Sequence, residues 1–297
     1  MRSRYAGFRS WFCVLLVVHC TLSQGQDNKA EFAAKILTTL TSLPDCKLVY
    51  TFKQIGFDDV PTQVGGNPSR IWKYEYIKSG EKFSYRRFPV AKDGSIGEVD
   101  EIFTYNGHVF QRFQNTGILG VSRKKESLAR ELQTIQWRNP LYFPYYFLFE
   151  RQVEFPVLNE EGFGLMERVL GEIAVAKVES DSFSVKTASS EYLYKFRDLN
   201  SFSLESIRGV KNGRSNILFE FGGPVGLGEI AMFPSSISAV YKDIKDPNAK
   251  TNGYLVQVDT VETRVLNSDE VSEELFIVPK SLATHIYDYE SKILSRN

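Results

Sequence analysis

Glu101-Ile102-Phe103-Thr104-Tyr105-Asn106-Gly107-His108-Val109-Phe110-Gln111-Arg112-Phe113 places an Asn-Gly pair between two runs in which apolar and polar side chains alternate. Asn-Gly is favoured where both central residues of a two-residue turn need positive φ, so the stretch reads as a β-hairpin. Outward from it the same grammar recurs. Asp93-Gly94, Asn212-Gly213 and Asn252-Gly253 each stand between strand-like runs, and Asn212-Gly213 joins SLESIRGV to SNILFEF. Leu48, Tyr50 and Phe52 alternate with polar neighbours, as do Trp72, Tyr74 and Tyr76. After a Ser79-Gly80 turn, Phe83, Tyr85 and Arg87 continue the pattern. A period of two marks strands wet on one face, and sequential strands joined by tight turns form an antiparallel meander. Strands resume at about residue 168 and run to about 266.

Two stretches break the period. Residues 29–43 carry Phe32, Ile36, Leu37 and Leu40 at helical spacing, with Asp27 or Asn28 as N-cap and Pro44 as stop. Residues 124–137 carry Leu128, Leu132 and Ile135 on one stripe. They lead into the aromatic run Asn139-Pro140-Leu141-Tyr142-Phe143-Pro144-Tyr145-Tyr146-Phe147-Leu148-Phe149, whose prolines limit it to short helical turns. The expected fold class is therefore α+β, with an N-terminal helix and a helical, aromatic insertion over about residues 115–165.

The N-terminus reads as an export signal. Arg2, Arg4 and Arg9 form a basic region, Trp11–Val18 an apolar core, and Ser23 and Gly25 a small-residue pair before a cut at Gln26. The apolar core is shorter than the ~20 residues a spanning helix needs, and no later segment has the apolarity of a membrane span. Residues 1–25 are thus expected to be a signal peptide, and 26–297 one domain, since no linker, repeat or composition shift divides them. Loss of three arginines leaves the mature chain near −3, which disfavours nucleic acid as a partner. Cys13 and Cys20 leave with the signal, so Cys46 stands alone, and the one Asn-x-Ser match, Asn67-Pro68-Ser69, has the forbidden proline. Both features suit a bacterial envelope protein, periplasmic or secreted.

Catalytic and metal-binding chemistry finds little support. His108 and His285 have no second histidine or cysteine at ligand spacing, so no metal site is expected. Cys46 with either histidine is a weak nucleophile pair, because a lone cysteine opening a strand is more often a small core residue. Gly226-x-Gly228-x-x-Ala231 matches a dinucleotide fingerprint in form. The helix that would aim its amides at a pyrophosphate is absent from the sequence that follows, and a loop between strands is expected. No G-x-S-x-G elbow or P-loop occurs, and Glu160-Glu161 and Glu273-Glu274 read as solvated charges. No cofactor and no catalytic residue is expected.

The chain's 37 tyrosines and phenylalanines carry the remaining information. Many lie on single strand faces, where they either fill a core between sheet and helices or line a hollow that two short helices leave unfilled. The order of elements resembles the lipoprotein-carrier (LolA/LolB-like) superfamily of periplasmic proteins. The residues that carry the resemblance are the Tyr105-Asn106-Gly107 hairpin and the C-terminal Val256–Glu262 strand, Asn267 and Phe276-Ile277-Val278-Pro279. It implies a large curved antiparallel sheet, an incomplete β-barrel, with helices covering the concave side and a hydrophobic cavity between. The implied function is non-catalytic binding of lipid, lipoprotein acyl chains or another apolar ligand, with an envelope protein as a possible partner. The alternative is a structural or protein-interaction module without a ligand. Candidate lining residues, taken from the single strand faces and the aromatic insertion, are Tyr50, Phe52, Trp72, Tyr74, Phe83, Tyr85, Phe103, Tyr105, Tyr145, Tyr146 and Phe149. Asn106 stands where the family usually has Asp, and the chain is longer than a typical carrier through residues 115–165.

Overall fold

A computed structural model describes residues 43–56, 70–124, 138–143, 175–178, 181–186, 190–198, 203–211, 215–227, 231–243 and 252–297. Within them the chain is built of strands. These are β1 (Cys46–Ile55), β2 (Ile71–Ser79), β3 (Lys82–Val90), β4 (Glu101–Tyr105), β5 (Phe110–Gln114) and β6 (Ile118–Ser122). Next come β7 (Val175–Val178), β8 (Ser182–Lys186), β9 (Ser190–Asp198), β10 (Ser203–Lys211), β11 (Ser215–Phe221), β12 (Pro224–Leu227) and β13 (Ala231–Pro234). The C-terminal third adds β14 (Ser236–Asp243), β15 (Asn252–Val258), β16 (Arg264–Val265), β17 (His285–Asp288) and β18 (Ile293–Arg296).

Sixteen of these strands form one sheet, ordered β18-β17-β6-β5-β4-β3-β2-β1-β15-β14-β11-β10-β9-β8-β7, with β16 paired to the start of β1. Among the described residues the two ends of this path do not pair, so the sheet is open. Every pairing within it is antiparallel except β17 against β6, where His285 to Asp288 run parallel to Ile118 to Val121. The sheet is therefore mixed, not wholly antiparallel as its turns suggest. The parallel pair arises because β17 reaches the edge of the meander from the distant C-terminal segment, not through a tight turn.

The hairpins that organise the first half are where the turn residues put them. Gly107 adopts φ +94° between β4 and β5, and Asn106 Oδ1 accepts from the backbone N–H groups of His108 and Val109 at 3.1 and 2.9 Å. An asparagine that caps its own turn, followed by a residue with no Cβ, makes this conformation inexpensive. Other turn signals mean something else. Asn252-Gly253 lies inside β15, where a Cβ at Gly253 would stand 2.1 Å from the Ala239 carbonyl oxygen, so the glycine permits close approach of β14. Asp93-Gly94 makes a turn, but residues 95–100 follow before β4 begins. The glycine-rich stretch forms a separate two-stranded ribbon of β12 and β13 with no helix in its described residues.

The helix expected over 29–43 falls outside the described residues except for Leu43, as does the one expected over 124–137 except for Lys124. Of the residues expected in the insertion, Ile118–Ser122 form β6 of the sheet. Gly117 turns the chain at φ +78°, and β6 extends the sheet to Ser122. Of the strand expected from about 168, the described part is β7.

Two apolar layers flank the sheet. The larger gathers the inward side chains of β1 to β5, β9 to β11, β14 and β15 with Leu141, Tyr142 and Phe143. The smaller lies on the opposite face, where Ile102, Phe113 and Leu119 are covered by Val278 and Ala283. The Asn267 and Phe-x-x-Pro segment builds this cover. Asn267 N–H donates to Glu270 Oε2 at 3.0 Å, Phe276 is buried, and Val278 N–H donates to Gln111 Oε1 at 2.9 Å.

Candidate functional site

Pleating sends alternate side chains to the inner face, and register assembles them into rows. Tyr50 lies opposite Tyr74 and Phe52 opposite Trp72, while Tyr85 stands between Tyr76 and Phe103, and Phe83 faces Tyr105. The rings touch along and across these rows. Tyr50 stacks on Tyr74 with centroids 5.1 Å apart, Tyr74 meets Tyr85 at 5.3 Å, and Phe83 meets Phe103 at 5.6 Å. The second half of the sheet joins them where Phe52 stacks on Tyr254 at 5.0 Å.

Of the candidate lining residues, Tyr50, Phe52, Tyr74, Phe83, Tyr85 and Phe103 are buried in the large cluster, and Trp72 and Tyr105 pack against it half-buried. Tyr145, Tyr146 and Phe149 lie outside the described residues. The face extends further than that selection. Tyr76 belongs to it, as do Tyr192, Tyr194 and Phe196 of β9, Phe219 and Phe221 of β11, and Tyr254. The same period of two runs through these stretches of sequence, beyond the residues selected from it.

The described end of the insertion closes over this face. Asn139 Oδ1 accepts from Leu141 N–H at 3.0 Å, and its carbonyl accepts from the N–H groups of Tyr142 and Phe143 at 3.0 and 2.9 Å, tying residues 139–143 into a tight turn. That turn delivers two rings. Tyr142 stands edge-on to Tyr76 with their hydroxyls 2.9 Å apart, and Phe143 stands edge-on to Phe219 at 5.1 Å and to Tyr254 at 6.2 Å.

Polar groups enter at one side. Arg138 Nη1 donates to the Tyr74 hydroxyl at 3.2 Å, and its guanidinium lies 5.3 Å over the Phe52 ring. Beside it, Arg87 grips Asp100 through two bonds of 2.7 and 3.1 Å and reaches Glu101 at 2.9 Å, while Arg112 meets Glu101 at 2.9 Å. No sequence spacing singles out Arg138 or this ion network, because the partners come from separate strands and the insertion. Burial pushes the Tyr50, Tyr76 and Tyr85 hydroxyls well above the ordinary tyrosine value, so all three stay neutral.

Cys46 and the two histidines lie in different environments. Cys46 is fully buried and its thiol is pushed up to about 12 by desolvation, with Lys78 opposing, whereas His108 and His285 are exposed.

On the outer face, away from this core, β8 to β11 and β14 form a groove of about 660 Å³. Leu193, Val210, Leu218 and Val240 line it with Arg208 and Lys242, and Leu193 is 48 % exposed.

The fold and site together define an open-sheet protein with an aromatic inner face and a polar node set into it. No family model matches the chain, and no curated protein matches it. It is similar to the solved structure of a LolA superfamily protein from Nitrosomonas europaea, at 7% identity and a TM-score of 0.40, over 84% of this chain and 96% of that one. A second solved structure, of a DUF1329 family protein from Desulfovibrio piger, is similar at 8% identity and a TM-score of 0.36, over 86% of this chain and 98% of that one.

Proposed function

We propose that this chain is an exported, non-catalytic binder of lipid or another apolar ligand, which it takes against the aromatic inner face of the sheet. The observation that carries the reading is the way that face is covered. In the described residues, a single tight turn lays Tyr142 and Phe143 across it through ring edges and one hydroxyl pair. An acyl chain buries apolar surface as these two rings do, so it can take their place on the face. The periplasmic or secreted location, residues 1–25 as signal peptide and a lipid or lipoprotein acyl chain as partner belong to the same proposal. Extraction of the purified protein followed by lipid mass spectrometry tests it. A stoichiometric acyl-bearing species is expected, and a lipid-free protein that also ignores fluorescent fatty acids would contradict the reading.

The outer groove favours a second reading, a protein-interaction module of the envelope. Exposed Leu193, Val210 and Val240 make an apolar stripe of the kind that marks partner surfaces. A lipid-free sample, together with a bound envelope protein that is lost on Leu193→Asp, would favour this reading over the first.

A further inference from the structure

The ribbon of β12 and β13 covers part of the inner face without belonging to the sheet that makes it. Among the described residues its two strands pair with one another and with no other strand. Their register continues that of the hairpin from which they spring. Phe221 faces Ile237 where β11 meets β14, and three steps on Pro224 faces Pro234. The ribbon is thus the far end of the β11–β14 hairpin, bent over the inner face. Leu227 and Phe233 are buried in the large cluster and Val225 packs against it half-buried, whereas Pro224 and Gly226 are exposed. β13 comes against β10, whose Leu204 and Ile207 belong to the same cluster.

The chemistry of the bend favours movement. A Cβ at Gly222 would stand 2.4 Å from Ser236 Oγ, so glycine lets the two legs draw together, while the space beside Gly223 is open. Just beyond, Pro224 and Pro234 face each other with no N–H on either, so that pair exchanges no hydrogen bond. The legs are joined here by Gly222 N–H donating to the Ser236 carbonyl at 2.8 Å and Ser235 N–H to the Gly223 carbonyl at 2.9 Å. From the solvent side, exposed Arg197 of β9 donates to the carbonyls of Leu204 and Gly222 at 2.9 and 2.8 Å and to that of Phe221. One guanidinium therefore ties the base of the ribbon to β9 and β10. A two-stranded ribbon is marginal by itself, so its closed position depends on a few apolar side chains and on this clamp.

We propose that the β12–β13 ribbon is a flap that swings at Gly222-Gly223 to admit an apolar ligand to the inner face, with Arg197 as its clamp. This rests on the lipid-binding reading above and adds the route by which the ligand enters and leaves.

Hydrogen exchange of the ligand-free chain and stopped-flow binding of cis-parinarate, a fluorescent fatty acid, test it. The amides of Val225, Gly226, Leu227, Met232 and Phe233 should exchange at least about tenfold faster than those of β11 and β14, because the ribbon opens while the sheet stays folded. Arg197→Ala should raise the association and dissociation rates of parinarate alike, each by at least about threefold, and leave Kd within about twofold, since a gate sets both rates together. Gly223→Ala, for which the bend has room, should slow both rates by stiffening the hinge. Ribbon amides as slow as those of the flanking strands, or rates unmoved in both variants, would overturn the flap and leave the lipid reading standing. A changed Kd with an unchanged association rate in Arg197→Ala would mark that residue as merely structural and overturn its role as clamp. Failure of the unaltered chain to bind parinarate would remove the lipid reading and this inference with it.

Discussion

At the scale of single residues, the inner face depends on where its hydroxyls go. Tyr76 and Tyr142 satisfy one another at 2.9 Å inside an otherwise apolar cluster. Tyr142→Phe leaves the Tyr76 hydroxyl buried without that partner and should cost about 1–3 kcal/mol in urea unfolding. The double variant Y76F/Y142F removes both groups and should recover most of the loss, as a double-mutant cycle will show. Titration follows the same logic. The Cys46 thiol moves from 9.0 to about 12, and Tyr50, Tyr76, Tyr85 and Tyr194 also lie above the ordinary tyrosine value of 10.0, all chiefly through burial. Above pH 9 the unfolded chain releases protons that the native chain keeps, so the native state is progressively disfavoured. These groups' contribution is complete below pH 9 and is lost as pH rises through their raised values. Thermal melts between pH 7 and 11 should show a plateau up to about pH 9 and a steep fall beyond it. The partners at this scale were the least legible in the sequence. Alternation marks Tyr74 and Tyr85 as facing one side, but nothing in it marks Arg138 as their neighbour, because that contact crosses from an insertion to two strands.

At the scale of elements, legibility followed turn chemistry. Asn106-Gly107 and Ser79-Gly80 joined the strands they flank because each turn is local and its residues carry the whole instruction. Asn252-Gly253 has the same letters and a different physical reason, since its glycine lets β15 lie against the Ala239 carbonyl. Gly253→Ala should therefore cost about 1–3 kcal/mol through overpacking, whereas an alanine in an ordinary exposed turn would act through φ alone. Equilibrium unfolding of G253A checks this. β6 was missed for the opposite reason. Its strand is short, and the Thr116-Gly117 turn before it gives a weaker hairpin signal than Asn-Gly. The parallel β17–β6 pair was beyond reach of any local pattern, because its two strands are separated by more than 160 residues.

At the scale of the whole molecule, one open sheet presents an aromatic face on one side, and its C-terminal segment seals part of the other. The period-two aromatics made the first of these readable from sequence. They could not say whether that face is kept by the chain's own rings or surrendered to a ligand, because both uses require the same residue types. Trp72 is placed to report the difference. It is half-buried, packs against the cluster and lies 6.2 Å from the Phe52 ring. A variant that keeps Trp72 as its only tryptophan should be titrated with an acyl chain brominated near its end, since bromine quenches tryptophan emission only on near contact. Saturable quenching of Trp72, reversed by an unbrominated chain, is the result predicted. Emission that stays unchanged up to the solubility limit of the chain would contradict the central claim that the inner face receives a lipid.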